Sequence, residues 1–183
     1  YIMDNKDKKE PVKYVDVGIQ VNLDEEKLQE RGDSIKLENV RKLVFGGGFL
    51  KGYGLLGCAK YLLEKDVVKN IDTYIGSSVG AFVLMFLVLG YNQKEIEDLI
   101  YTFDFHKFEN FTMENILNFN MNFGVDDGMK FVQFIKNAIY FKTKNYYITF
   151  KQLYELTGKR FIVTGTNIEL RTCEYFSHLT TPD

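Results

Sequence analysis

The stretch that most restricts how this chain can fold is Ile75-Gly76-Ser77-Ser78-Val79-Gly80. Before it, Ile71 to Ile75 is short, β-branched and aromatic, which suits a buried strand. After it, Val79 to Leu89 is apolar, with the length of a buried helix. A strand that enters a helix through Gly-x-Ser-x-Gly must turn sharply. The serine then sits in strained backbone with its hydroxyl at the helix N-terminus, and the glycines let strand and helix approach without a Cβ between them. Ser78 is therefore a candidate nucleophile, with Gly76 and Gly80 shaping its turn. The competing reading is a plain helix N-cap, in which the hydroxyl is spent on the first turn.

A second glycine-bearing bend lies upstream. Ile35 to Phe45 has strand character, strongest at Leu43-Val44-Phe45, and runs into Gly46-Gly47-Gly48-Phe49-Leu50-Lys51-Gly52. A helix follows, with Leu55, Leu56, Ala59, Leu62 and Leu63 on one face. Successive backbone N–H groups at a helix start suit an anion or a developing oxyanion. The alternative is a tight turn between strand and helix, for which three glycines carry a heavy entropic cost. Lys51 is either an attractor for an anionic head group or a solvated loop cation. Asp66 to Asn70 ends the helix, so residues 40 to 80 read as one β-α-β unit with parallel strands and a right-handed crossover. Ligands of open parallel sheets sit beyond the carboxyl ends of the strands, so the glycine loop and Ser78 should face one another.

The remaining pattern fits around this unit. Val15, Val17, Ile19 and Val21 alternate with polar residues as an edge strand would, and Asp24 to Arg31 suits a short helix. Ile96, Leu99, Ile100 and Phe103 form a helical stripe. Residues 104 to 125 are aromatic and irregular, either a lid or greasy mouth for acyl chains or a packed excursion over the core. Asp126-Asp127-Gly128 precedes another helix, Thr149 to Gln152 is a capping box, and Gly158 is a stop. Strands Arg160 to Thr164 and Cys173 to Ser177 close the chain. Strands alternating with helices predict an α/β fold, three layers α/β/α around a mostly parallel sheet.

At 183 residues the chain suits one domain, and a net charge of −2 predicts no nucleic-acid footprint. Two cysteines, Cys58 and Cys173, make neither a disulfide framework nor a metal spacing, so a reducing compartment is expected. With His106 and His178 the only histidines, a histidine metal cluster is not expected either. The apolar run at Val79 falls short of the ~20 residues a bilayer span requires.

Leu43 to Gly52, read without a gap, together with Gly76 to Gly80, resembles the patatin-like phospholipase family. Gly124 to Met129 and Thr149 to Thr164 look like the family's later helix and strand segments, so the likeness covers about residues 36 to 183 and leaves 1 to 35 as an extension. The resemblance implies a Ser-Asp dyad: Ser78 as nucleophile, activated by an aspartate without histidine, and an oxyanion hole from the backbone amides of Gly47, Gly48, Phe49 and Leu50, in the loop that continues through Lys51 and Gly52. It implies an ester of a phospholipid or acylglycerol as substrate and no metal or organic cofactor. Transient contact with a membrane surface is expected, and with the reducing compartment read from the cysteines, a cytoplasmic protein peripheral to membranes. Phe49 stands where the family has its third glycine, which leaves open which amide faces the oxyanion. Asp127-Gly128 matches the family's helix start rather than its dyad aspartate. The dyad aspartate is therefore expected beyond Asp183 in a longer protein; the alternative is an inactive lipid-binding or scaffold relative.

Two further readings compete. A Ser-His-Asp triad would rest on His178, the one histidine in a suitable chain order. A nucleotide fold would need an acid after the second strand or Gly-Lys-Ser/Thr in the loop, and neither is present.

Overall fold

A computed structural model of the chain describes residues 39–102, 104 and 126–183. Four strands, β1 (Lys42–Phe45), β2 (Thr73–Ser77), β3 (Arg160–Asn167) and β4 (Thr172–Phe176), form one sheet in the order β1-β2-β3-β4. The first two pairings are parallel and the last is antiparallel. Five α-helices are described: α1 (Gly52–Glu64), α2 (Val79–Val88), α3 (Gln93–Thr102), α4 (Met129–Thr143) and α5 (Phe150–Thr157). The protein is thus of the α/β class with a mainly parallel sheet, as its sequence predicts. The expected edge strand at Val15 to Val21, the helix at Asp24 to Arg31 and nearly all of the aromatic stretch 104 to 125 lie outside the described residues.

β1, β2 and β3 lie side by side in sequence order and parallel, so alternate side chains along them share one face. Leu43, Phe45, Tyr74 and Phe161 line that face and are buried, and α2 packs across β1, β2 and β3 upon it. Residues Gly80 to Val88 are all buried, which explains why this helix lacks a polar stripe. α1 lies beside α2 and α3. The opposite face, with Val44, Ile75 and Ile162, is half-buried.

β2 starts at Thr73 rather than Ile71. A 3-10 turn at Val68–Asn70 feeds it, and the Asp72 N–H is taken by Arg41 O at 2.9 Å. The register Lys42↔Thr73 through Phe45↔Gly76 ends β1 and β2 at the same edge, so the loop after Phe45 and the turn at Ser78 emerge together. The capping box is formed: Gln152 N–H donates to Thr149 Oγ1 (3.2 Å), and Thr149 N–H donates to Gln152 Oε1 (3.0 Å). Gly158 ends α5 at φ 67. Asp126 and Asp127 accept the N–H groups of Gly128 (2.7 Å) and Met129 (3.0 Å), the expected work at a helix start. No helix among the described residues is long and apolar enough to cross a membrane.

Candidate active site

β2 ends at Ser77 and α2 begins at Val79, so the change of direction falls on Ser78, whose backbone sits at φ 51, ψ −129. A residue with a Cβ reaches this region only under strain. The Ser78 side chain makes no capping hydrogen bond and none to another described residue, which removes the plain N-cap reading. The residue is exposed. Its carbonyl accepts the Phe82 N–H (3.2 Å), so the hydroxyl stands at the positive end of α2.

The two flanking glycines answer to backbone. A Cβ on Gly76 would lie 2.3 Å from Ala81 Cα and 2.6 Å from Ala81 N, so only glycine lets α2 fold back onto β2. A Cβ on Gly80 would lie 2.3 Å from Phe45 O and 2.6 Å from Gly46 O. The first turn of α2 is therefore wedged against the start of the glycine loop. On the far side of that wedge, a Cβ on Gly47 would lie 3.1 Å from Ser78 Cβ and 3.8 Å from Ser78 Oγ. The two bends meet at one edge of the sheet.

The rest of the loop is a short 3-10 turn, Phe49–Lys51, leading into buried Gly52. Lys51 N–H donates to Gly48 O (2.9 Å), so that amide is spent inside the loop. The Lys51 stem lies against Gly48, where a Cβ would come within 2.9 Å of Lys51 Cδ, and the residue is exposed. Leu50 is exposed beside it.

His178 is not arranged as a triad base. Its ring stacks on Tyr154 (centroids 4.1 Å apart), and its Nδ1 is buried with no partner among the described residues. A triad histidine needs an acid on that nitrogen. Among the described residues no group of three or more His, Cys, Asp or Glu is set to hold a metal. Cys58 and Cys173 are both free.

Two supporting contacts escaped the sequence reading. Lys159 donates to Leu87 O (3.2 Å) in the last turn of α2 and lies 5.4 Å over the Tyr74 ring; burial lowers its pKa below that of an ordinary lysine. A cation at that end complements the helix dipole. The Phe82 ring, one turn past Ser78, meets Phe131 (5.3 Å) and Phe134 (5.8 Å), which ties α4 to the serine's own helix. A lysine after a helix stop otherwise reads as solvated, and nothing local in Phe131 names its partner.

A family profile described as "Patatin-like phospholipase" matches residues 43–180. The chain belongs to that family. This patatin-like chain is 29% identical over 160 residues to a protein named "Probable lipid hydrolase 463L" from Invertebrate iridescent virus 6, covering 82% of the chain and 51% of the relative. It is 27% identical over 149 residues to "Uncharacterized protein R571" of Acanthamoeba polyphaga mimivirus, covering 81% and 49%. Its fold is similar to that of VipD from Legionella pneumophila, with a TM-score of 0.53 at 22% identity, over 78% of the chain and 40% of VipD. The patatin-like chain thus spans about half the length of these two viral relatives.

Proposed function

We propose that this protein is a lipid acyl hydrolase of the phospholipase A or acylglycerol esterase type, with residues 36–183 as its patatin-like domain and 1–35 as an extension. Ser78 Oγ attacks the ester carbonyl carbon, and its proton passes to an aspartate carried outside the described residues. The carbonyl oxygen becomes an oxyanion held by backbone N–H groups of Gly47, Gly48, Phe49 and Leu50; one such donor is typically worth ~2.7–4 kcal/mol in the transition state. The ester C–O bond then breaks, the leaving alcohol takes the proton, and water releases the fatty acid from the acyl-enzyme. No metal or organic cofactor is needed in these steps, and transient contact with a membrane surface supplies the substrate.

The observation that carries this reading is the approach of Gly47 to the strained Ser78, 3.1 Å from a Cβ on the glycine to Ser78 Cβ. A fluorophosphonate probe should label Ser78 in the natural full-length protein, and Ser78→Ala should remove labelling and lower phospholipid hydrolysis by at least ~10³-fold. An unlabelled Ser78 beside intact lipid binding would favour the second reading, an inactive lipid-binding relative. That reading draws on the absence of any hydrogen-bonded base on Ser78 Oγ among the described residues.

A further inference from the structure

Between Gly128 and Tyr154 the chain has five lysines and no aspartate or glutamate. With a net charge of −2 overall and +5 here, the remainder carries −7. Lys142 turns inward to Glu95 (2.6 Å). The outer surface of α4 and the turn after it instead gather ammonium groups and rings in contact with one another. Lys136 Nζ lies 4.8 Å over the Tyr147 ring, and Lys144 Nζ lies 5.7 Å over both Tyr140 and Phe141. Tyr140 stacks on Tyr146 with centroids 4.1 Å apart and planes 8° from parallel. These rings are not core: Tyr147 is 74% and Phe141 55% exposed.

A contiguous exposed aromatic surface marks an interaction site. Tyrosine favours the head-group level of a bilayer, where the ring is dry and the hydroxyl wet, and lysines beside it are drawn to anionic head groups. A bilayer also meets only one face of a protein, here one with five lysines and no acid between Gly128 and Tyr154. We propose that this face of α4 and its following turn docks the protein on an anionic lipid bilayer. The choice of a bilayer over an acidic protein rests on the lipid-hydrolase reading above. Because α4 packs on Phe82, docking here fixes the membrane relative to the helix that begins at Ser78.

The test is co-sedimentation of the full chain with vesicles of phosphatidylcholine alone and of phosphatidylcholine with about 30% phosphatidylglycerol, a composition with strongly negative surface potential. Binding is expected only to the anionic vesicles and should fade near ~0.5 M salt, where screening is nearly complete. One lysine near such a surface is worth about five-fold in partitioning, so Lys136→Glu with Lys144→Glu should weaken binding by at least ~25-fold. Tyr146→Ser with Tyr147→Ser should weaken it further at unchanged salt slope, with both variants melting cooperatively as a check on folding. Equal partitioning to both vesicles, no partitioning, or charge-reversed protein that binds like the parent would overturn the assignment, the last outcome leaving the face to another polypeptide. Vesicle binding with Ser78 unlabelled sinks the hydrolase reading and not the docking face; labelled Ser78 without vesicle binding does the reverse.

Discussion

Replacing Ser78 with glycine should make the protein inert and more stable at the same time. At φ 51, ψ −129 the serine sits where a Cβ is crowded, a conformation that typically costs ~1–3 kcal/mol. Glycine has no such penalty there, although its freer unfolded chain returns ~0.4–1 kcal/mol of the gain. Nothing else is lost, because the hydroxyl makes no hydrogen bond to a described residue. The net is a stabilisation of about 0.5–2 kcal/mol, and near this chain length each kcal/mol moves the melting point by ~2–4 °C. Ser78→Ala is the matched control, since it removes the same oxygen and keeps the strain. Both variants should fail to react with a fluorophosphonate, while the glycine variant melts ~1–8 °C above the alanine variant by calorimetry. A glycine variant that melts at or below the alanine variant refutes the claim that the turn is strained.

Gly80→Ala should do the opposite, because its methyl would press within 2.3 Å of Phe45 O and 2.6 Å of Gly46 O, backbone atoms that have little room to yield. A loss near or above ~3 kcal/mol in denaturant unfolding is expected, together with loss of Ser78 labelling. Gly47→Ala is gentler: a contact of 3.1 Å to Ser78 Cβ requires a shift of tenths of an ångström, so kcat/KM for a short-chain ester should fall more than ~10-fold while stability changes by under ~1 kcal/mol. Equal losses of both would make Gly47 structural only. In acid, the Glu95–Lys142 pair sets a pH dependence. Burial pushes the Glu95 carboxyl up, but the hydrogen bonds from Lys142 and the Asn92 N–H, with the Lys142 charge, outweigh it and hold the pKa below the usual 4.5. The folded value lies under the unfolded one, so the pair contributes fully above that pH and is lost as pH falls through the folded value. Glu95→Gln should flatten the stability–pH curve below 4.5, and an unchanged acid slope would count against the pair.

Local chemistry wrote the parts of this molecule that sequence could reveal. Thr149 and Gln152 cap each other within one turn, and Gly158 stops its helix by a left-handed φ, so both were legible from spacing alone. The meeting of the two bends was legible one step further on, since parallel strands that end in register must deliver their loops to the same edge. The wedge itself was not. That Gly80 abuts Phe45 O follows from how α2 lies across β1, a contact between residues 35 positions apart that no periodicity records. β3 likewise runs to Asn167, past the expected Thr164, because β4 pairs with its far half as an antiparallel hairpin; at Gly165 the Phe176 ring occupies the space a side chain would need. The aspartate proposed as general base is the extreme case, since no described residue near Ser78 marks it.

The strain at Ser78 also explains why the apolar run behind it is so long. A backbone held ~1–3 kcal/mol above its relaxed state persists only if its surroundings would lose more by letting it go. α2 supplies that hold. Val83, Leu84, Phe86, Leu87 and Val88 are at most 1% exposed, and each large side chain so buried contributes ~1.5–3 kcal/mol. Relaxing the turn would rotate the helix and expose several of them together, a loss larger than the strain relieved. Lys159 holds the other end of the same helix through Leu87 O. The hydroxyl at position 78 is thus presented by a helix whose rigidity comes from having no wet face, and a polar stripe along Val79 to Val88 would have relaxed the turn and with it the chemistry proposed for Ser78.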